Sequence, residues 1–121
     1  MISNINKGYR FFWRGTISAL KLLKRAHYRL TGQIDLHPDA VIEPMAHLRV
    51  DYSSPREHVI SVGAYSVVKD YAQLFPRTGF IVIGTHCSIN PFCVLQGYGG
   101  ITIGDHVRIA AHTSLVAFNH N

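Results

Sequence analysis

The first 34 residues contain no acidic side chain, which is the most uneven feature of the 121-residue chain. Seven basic residues precede Asp35, whereas the remainder carries five basic and seven acidic residues. The net charge of +5 therefore comes from the N-terminal quarter of the chain. This distribution predicts a basic N-terminal arm or helix attached to a nearly neutral domain.

Long apolar runs and cysteines are also scarce. No apolar run reaches about 18 residues, so we expect no transmembrane helix. The N-terminus lacks the charged tip, apolar core and cleavage site of a secretory signal. The two cysteines, Cys87 and Cys93, make neither a disulfide framework nor a zinc site, which favours a cytoplasmic protein without a bound metal. Apolar residues at 47 % and charged residues at 16 % predict a globular domain.

Residues 9–31 are predicted to form a basic amphipathic helix within an N-terminal segment, residues 1–33. Its apolar face comprises residues at spacings of three and four, namely Trp13, Ile17, Leu20, Leu23, His27 and Leu30. Gly32 is a typical stop signal. One interpretation is a helix that covers an open end of the downstream domain. The other is a helix on an anionic membrane surface, anchored by Phe11, Phe12 and Trp13.

Residues 34–121 follow a period of six. The recurring aliphatic residues are Leu36, Ile42, Leu48, Val62, Val68, Leu74, Ile83, Ile89, Leu95, Ile103, Ile109 and Leu115. Four positions after each aliphatic residue comes a residue that is usually small, in order Ala40, Ala46, Tyr52, Ser66, Ala72, Thr78, Cys87, Cys93, Gly99, Val107, Thr113 and Asn119. A period of six fits neither an ordinary strand nor a helix.

One flat side and one corner per six residues would close a three-sided turn every eighteen residues. Stacked turns place each aliphatic residue about 4.8 Å from its counterpart, the ordinary inter-strand distance. The observed starts are 26, 21 and 20 residues apart, so surplus residues must loop out near residues 52–60, 76–80 and 97–100. The sequence therefore predicts a mainly β chain, a parallel β-helix of about four coils after the N-terminal helix.

Motifs such as Ile83-Gly84-Thr85-His86-Cys87-Ser88 resemble those of the hexapeptide-repeat acyltransferases. The resemblance implies left-handed coils, an exception to the usual right-handed crossover rule. It also implies a homotrimer with active sites between subunits. Some members of that family are scaffolds or other enzymes, so the hexad predicts the fold more specifically than the reaction.

The last coil, from Ile103 to Ser114, followed by Phe118-Asn119-His120-Asn121, is similar to the O-acetyltransferases that modify sugars of surface polysaccharides. The resemblance implies transfer of an acetyl group from acetyl-CoA to a hydroxyl of a sugar. In such enzymes the histidine at the position of His120 is the general base, which suits an imidazole. Asn119 and Asn121 would be polar neighbours of this histidine. The reaction also needs a hydrogen-bond donor to the oxyanion of the tetrahedral intermediate.

The other candidate residues have simpler interpretations. His86 and His106 share one hexad position and are expected to stack on an outer face, where two ligands alone make a weak metal site. His37, His47, His58 and His112 show no partner pattern. Cys87 and Cys93 are expected to be buried and inert. The basic N-terminus lacks a nucleic-acid reader motif, so no nucleic-acid partner is expected.

The resemblance also implies further coils after residue 121, since the family binds CoA along them. The last coil would then leave an unpaired strand edge. We therefore expect a C-terminally truncated form or a natural remnant, in preference to a protein that a partner completes. Two functions stay open at this point. One is an acetyl-CoA-dependent O-acetyltransferase, and the other is a non-catalytic β-helix scaffold or remnant that does not bind CoA.

Overall fold

The computed structural model describes residues 19, 22–28, 32–50 and 58–118. Residues 22–28 form a helix, α1, and twelve short strands follow it within the described ranges. The strands are β1 (Ile34–Leu36), β2 (Val41–Ile42), β3 (His47–Leu48), β4 (Ile60–Val62), β5 (Val67–Val68), β6 (Gln73–Phe75), β7 (Ile81–Ile83), β8 (Ser88–Ile89), β9 (Val94–Gln96), β10 (Ile101–Ile103), β11 (Arg108–Ile109) and β12 (Ser114–Val116).

These strands form three parallel sheets of four strands each. The first sheet has the order β1-β4-β7-β10, the second β2-β5-β8-β11 and the third β3-β6-β9-β12. Successive strands along the chain therefore belong to the three sheets in turn. This is a mainly β, parallel β-helix-like fold, as the period of six predicts. We call three consecutive strands, one from each sheet, a layer.

The register confirms the predicted columns of aliphatic residues. In the first sheet, Leu36 aligns with Val62, Val62 with Ile83 and Ile83 with Ile103. The second and third sheets align the other two columns, which are Ile42-Val68-Ile89-Ile109 and Leu48-Leu74-Leu95-Leu115. Apart from Leu115, all of these side chains are buried. Each strand therefore contributes one hexad aliphatic residue to a shared core.

The first sheet contributes a second inward column that the period of six does not mark. Ile34, Ile60 and Ile81 lie two residues before the hexad positions and are also buried. They align with one another and with Ile101. Strands β1, β4 and β7 have three residues whose first and last side chains are buried, as strand alternation requires. The core is therefore wider along this sheet than the hexad alone predicts.

The corners between sheets explain the small residues. Ala40, Ala46, Ser66, Ala72, Cys87 and Cys93, from the first two corners, are buried. Thr78 and Gly99, at the corner that returns from the third sheet to the first, are exposed; in the last layer Val107 is also exposed and Thr113 is half-buried. That third corner carries the surplus residues between strands, 76–80 and 97–100. Tyr52 and Asn119, the other two residues of this set at the third corner, lie outside the described residues.

The third corner closes around glycines. Gly79 N donates to Pro76 O at 2.9 Å, and Gly100 N donates to Gly97 O at 3.1 Å. Gly100 has a φ of 92°, and a Cβ there would lie 2.5 Å from the Phe80 ring. An L side chain at residue 100 would be strained both by this backbone conformation and by this contact.

Helix α1 contacts the first layer through polar side chains. Lys24 Nζ donates to Ala46 O at 2.8 Å, and Arg25 donates to Ala40 O at 2.7 Å and to His37 O. Burial lowers the pKa of Lys24, while the charge of Asp70 acts in the opposite direction. Tyr28 belongs to the buried core. These contacts support the interpretation of the helix as a cover for the first layer.

The side of α1 that makes these contacts differs from the predicted apolar face. Leu23 is 68 % exposed and His27 is exposed, although both lie on the face that the three-and-four spacing selects. Hydrogen bonds to corner carbonyls orient Lys24 and Arg25 inward instead. The predicted membrane anchors Phe11, Phe12 and Trp13 lie outside the described residues. Within the described part of the chain, no helix has the length and apolarity to cross a membrane.

Candidate functional site

The predicted site residues Asn119, His120 and Asn121 lie outside the described residues. The chain that leads to them is fixed at the third corner. Ala117 N donates to Gln96 O at 2.9 Å, and Gly99 N donates to Ala117 O at 2.7 Å. The Phe118 ring lies edge-on to Tyr98, with 4.9 Å between centroids. The last described residues therefore pack directly on the preceding layer.

The third corner carries an aromatic and cationic surface next to this chain. The Arg77 guanidinium lies 5.3 Å from the centroid of Phe75 and 5.8 Å from that of Tyr98, which are cation–π distances. Thr78 Oγ1 donates to Tyr98 O at 3.3 Å. Arg77 and Phe118 therefore both contact the Tyr98 ring. Sequence reasoning missed Arg77 because it lies in a surplus loop and not in the hexad.

A column of rings occupies the first corner, which joins the first sheet to the second. His86 stacks on His106 at 4.8 Å between centroids and lies 5.1 Å from Tyr65. All three side chains are exposed. The predicted outer-face stack of His86 and His106 is therefore confirmed, and Tyr65 extends it by one layer.

A second column occupies the second corner, which joins the second sheet to the third. Phe92 stacks on Tyr71 at 5.2 Å and on His112 at 5.0 Å, with interplanar angles of 8° and 3°. His112 showed no partner pattern in the sequence. The missed signal is spacing, because Tyr71, Phe92 and His112 share the position three residues after a hexad aliphatic residue.

The backbone produces both ring columns. All six ring-bearing residues have positive φ, between 55° and 66°. This conformation is uncommon for residues other than glycine, although histidine is enriched in it. Because the corners of successive layers share it, their side chains project in the same direction and stack at about the inter-strand distance.

Asp105 connects the last two layers at the first corner. Its Oδ1 accepts a hydrogen bond from Thr85 N at 2.8 Å. This hydrogen bond is the main reason why the pKa of Asp105 lies below its ordinary value. The nearby imidazoles of His106 and His86 lower it further. A Cβ on residue 84 would collide with this carboxylate, so Gly84 leaves the space that it occupies.

We expect Asp105→Asn to lower the thermal unfolding midpoint at pH 7, with a difference from the unmodified chain that shrinks in acid. A depressed pKa means that the charge stabilises the fold above the unfolded-state pKa of about 3.9, and that this contribution is lost as the pH falls through the folded-state value. Midpoints measured by circular dichroism between pH 7 and pH 3 test this.

The matched control is Asp35→Asn in β1, which changes the same charge on an exposed side chain. No hydrogen bond joins the Asp35 carboxylate to another described residue. We expect this variant to show little change at any pH. A pH-independent loss in Asp105→Asn would contradict the assignment, since it would indicate altered packing and not a charge-assisted hydrogen bond.

The two cysteines are structural. Cys87 and Cys93 are both buried and free. Their Sγ atoms lie 2.9 Å from Gly104 O and 3.0 Å from Ala110 O, in the layer that follows. Both thiols are buried and contact backbone carbonyls, so they lack the exposure of a reactive cysteine. The prediction of buried cysteines is confirmed.

No cluster of three or more histidine, cysteine, aspartate or glutamate side chains suited to a metal ion occurs among residues 19, 22–28, 32–50 and 58–118. The stacked pair of His86 and His106 would supply two ligands, which is fewer than protein metal sites ordinarily use.

Two of the grooves on the described surface are relevant to ligand binding. One, of about 1330 Å³, lies between α1 and the third sheet, and Leu23, Tyr28, Arg49 and Phe75 are among its lining residues. The other, of about 680 Å³, follows the outer face of the second sheet. We call the second one the basic groove, and its polar lining side chains are Tyr65, Lys69, His86, Ser88, Asn90, His106 and Arg108.

Comparisons of the chain with protein-family models, with curated proteins and with solved structures find no match.

Proposed function

We propose that this chain is an acyltransferase that moves an acetyl group from acetyl-CoA to a hydroxyl of a sugar or surface-polysaccharide precursor. Its core would be a left-handed parallel β-helix of about four coils. The proposal rests on the sequence and position of the last layer. The motif that resembles the sugar O-acetyltransferases occupies β10 to β12, in register with the layer before it.

The reaction needs a base for the acceptor hydroxyl. We assign His120 this role, because a neutral imidazole can take the hydroxyl proton as the oxygen attacks the thioester carbon. The new C–O bond forms, the C–S bond breaks, and the proton passes from the imidazolium to the leaving CoA thiolate. Asn119 or Asn121 would donate to the oxyanion of the tetrahedral intermediate.

The proposed assembly is a homotrimer in the cytoplasm, with a membrane contact through residues 9–31 as a further proposal. Exposed rings support contact between copies, since Tyr65, Tyr71 and Phe92 are 60 %, 53 % and 51 % exposed. Contiguous apolar side chains on a surface commonly mark a protein interface. Phe75 is half-buried and lies under the Arg77 guanidinium, so it offers less apolar surface than these three rings.

The second candidate function is a non-catalytic scaffold that retains the fold and the contacts between copies. The in-register ring columns at two corners favour it, because they are regular surface features that acyl transfer does not require. In a thiol-release assay with acetyl-CoA, the transferase predicts acceptor-dependent release of CoA from the full chain. No release with any sugar acceptor, together with no CoA binding at millimolar ligand, would favour the scaffold.

A further inference from the structure

The basic groove combines cations that lack an acidic partner. Lys69 and Arg108 line it, and no carboxylate is among its described lining residues. Among the residues that the structure describes, neither cation forms an ion pair, and the one pair found there joins His37 to Asp39. Asp105, the nearest acid in sequence to Arg108, is already bonded to Thr85 N.

The fold places these groups on one face. Arg108 and Ser88 are aligned partners on neighbouring strands, β11 and β8, with outward side chains. Such partners lie about 4.8 Å apart. His86 and His106 form the rim at the first corner, and Lys69 lies on the opposite side of the groove, directly after β5. Hydrogen-bond donors therefore converge on the groove from its floor and from both sides.

We propose that the basic groove binds the phosphate group of a small phosphorylated ligand. A phosphate offers several oxygens in a tetrahedral arrangement, which suits donors that converge from three directions, whereas a carboxylate offers two oxygens in one plane. The guanidinium of Arg108 can bind two phosphate oxygens together, and the ammonium of Lys69 supplies a compact charge. Ser88 Oγ and the imidazole N–H groups are additional neutral donors.

This site is separate from the proposed acetyl-transfer chemistry and does not rest on it. The groove lies on the second sheet, between the first and second corners, whereas the described chain ends at the third corner beside Tyr98. A ligand in the groove therefore contacts a different side of the fold from the one that residues 117–118 cover.

The test is titration calorimetry of the full chain with glucose 1-phosphate, inorganic phosphate, glucose and glucuronate, without acetyl-CoA. We expect glucose 1-phosphate to bind more tightly than about 1 mM, with weaker binding of inorganic phosphate. Glucose should not bind. Equal binding of glucuronate would overturn the choice of phosphate. Displacement of the sugar phosphate by S-acetylpantetheine, a thioester without phosphate, would overturn the separation of the groove from the donor site.

Variants connect the binding to the groove. We expect Arg108→Gln to weaken sugar-phosphate binding about tenfold or more, as for loss of a hydrogen bond to a charged group. Arg49→Gln makes the same charge change at an exposed residue outside the groove, and its affinity should stay within about twofold. An equal loss in both variants would overturn the site, since it would indicate a general charge effect. Circular dichroism of both variants checks that the fold is retained.

Discussion

Leu74→Ala is expected to lower the free energy of unfolding by about 2–5 kcal/mol, the range for deleting a large aliphatic side chain from a packed core. Leu74 lies in β6 and is 0 % exposed. It is aligned with Leu48 in one neighbouring strand and with Leu95 in the other. Neither neighbour can fill the cavity without leaving its own column. Urea unfolding followed by circular dichroism measures the effect.

The matched control is Gln73→Ala, one residue earlier in the same strand. Its side chain points outward and is half-buried, so we expect a change of about 0.5 kcal/mol or less. The two positions are adjacent in one strand and place their side chains on opposite faces. Equal losses in Leu74→Ala and Gln73→Ala would contradict the assignment of inward and outward faces. A smaller slope of unfolding with urea in either variant would indicate that two-state unfolding had been lost.

His120→Ala is expected to slow acceptor-dependent release of CoA by about 10²–10⁴-fold, the usual contribution of a general base. Because the base acts in the chemical step, we expect the loss in kcat and little change in the KM for acetyl-CoA. The same thiol-release assay measures both constants. The prediction depends on the proposed transferase function, so it applies once the unmodified chain has shown turnover.

His112→Ala is the control for a nonspecific effect of removing a histidine. His112 stacks on Phe92 at the second corner, away from the third corner where the described chain ends. We expect this variant to retain most of its turnover and to lose at most a little stability. Full turnover in His120→Ala would remove His120 as the base, and comparable loss in both variants would indicate damage to the fold.

Most of the fold was predictable from the six-residue period, because the period fixes which residues occupy equivalent positions in successive layers. Leu48, Leu74 and Leu95 recur at corresponding positions despite surplus residues, and the structure aligns them. The six-residue period resumes after each loop because every layer stacks on the previous one at the same inter-strand distance. The column of Ile34, Ile60 and Ile81 was missed because it lies two residues from the hexad positions, and only the three-residue strands of the first sheet bring it inward.

The face of α1 was not predictable from periodicity. Spacing selected Leu23 and His27, yet the corner carbonyls of Ala40 and Ala46 need donors, and Arg25 and Lys24 supply them. Hydrogen-bond demand at the end of a β-helix depends on which carbonyls the first layer leaves unpaired. That information belongs to the folded layer, and the helix sequence does not contain it.

Some features of the candidate site were predictable from the sequence and others were not. The outer stack of His86 and His106 follows from their shared hexad position, so the sequence predicted it. The basic groove joins Lys69 to Arg108, which occupy different hexad positions in layers that are not adjacent. Their convergence depends on how the second sheet spaces its strands, so composition alone gave no sign of it. The three predicted residues after Phe118 stay a prediction.

The stacking of layers is tested most directly by a cross-link between two strands that the register makes neighbours. Ser61 and Val82 are aligned partners in β4 and β7, and both side chains are half-buried on the outer face. Asp35 aligns with Ser61 and is therefore separated from Val82 by one strand, or about 9.6 Å. Cysteine pairs at these positions, with Cys87 and Cys93 changed to alanine, are treated with a short bifunctional thiol reagent.

We expect rapid intramolecular cross-linking of the Ser61→Cys, Val82→Cys chain, detected by mass spectrometry. We expect little cross-linking of the Asp35→Cys, Val82→Cys chain under the same conditions, because one strand lies between these two residues. Equal yields in the two chains, or a higher yield in the second, would contradict the stacking of layers on which the columns, the grooves and the proposed site all depend.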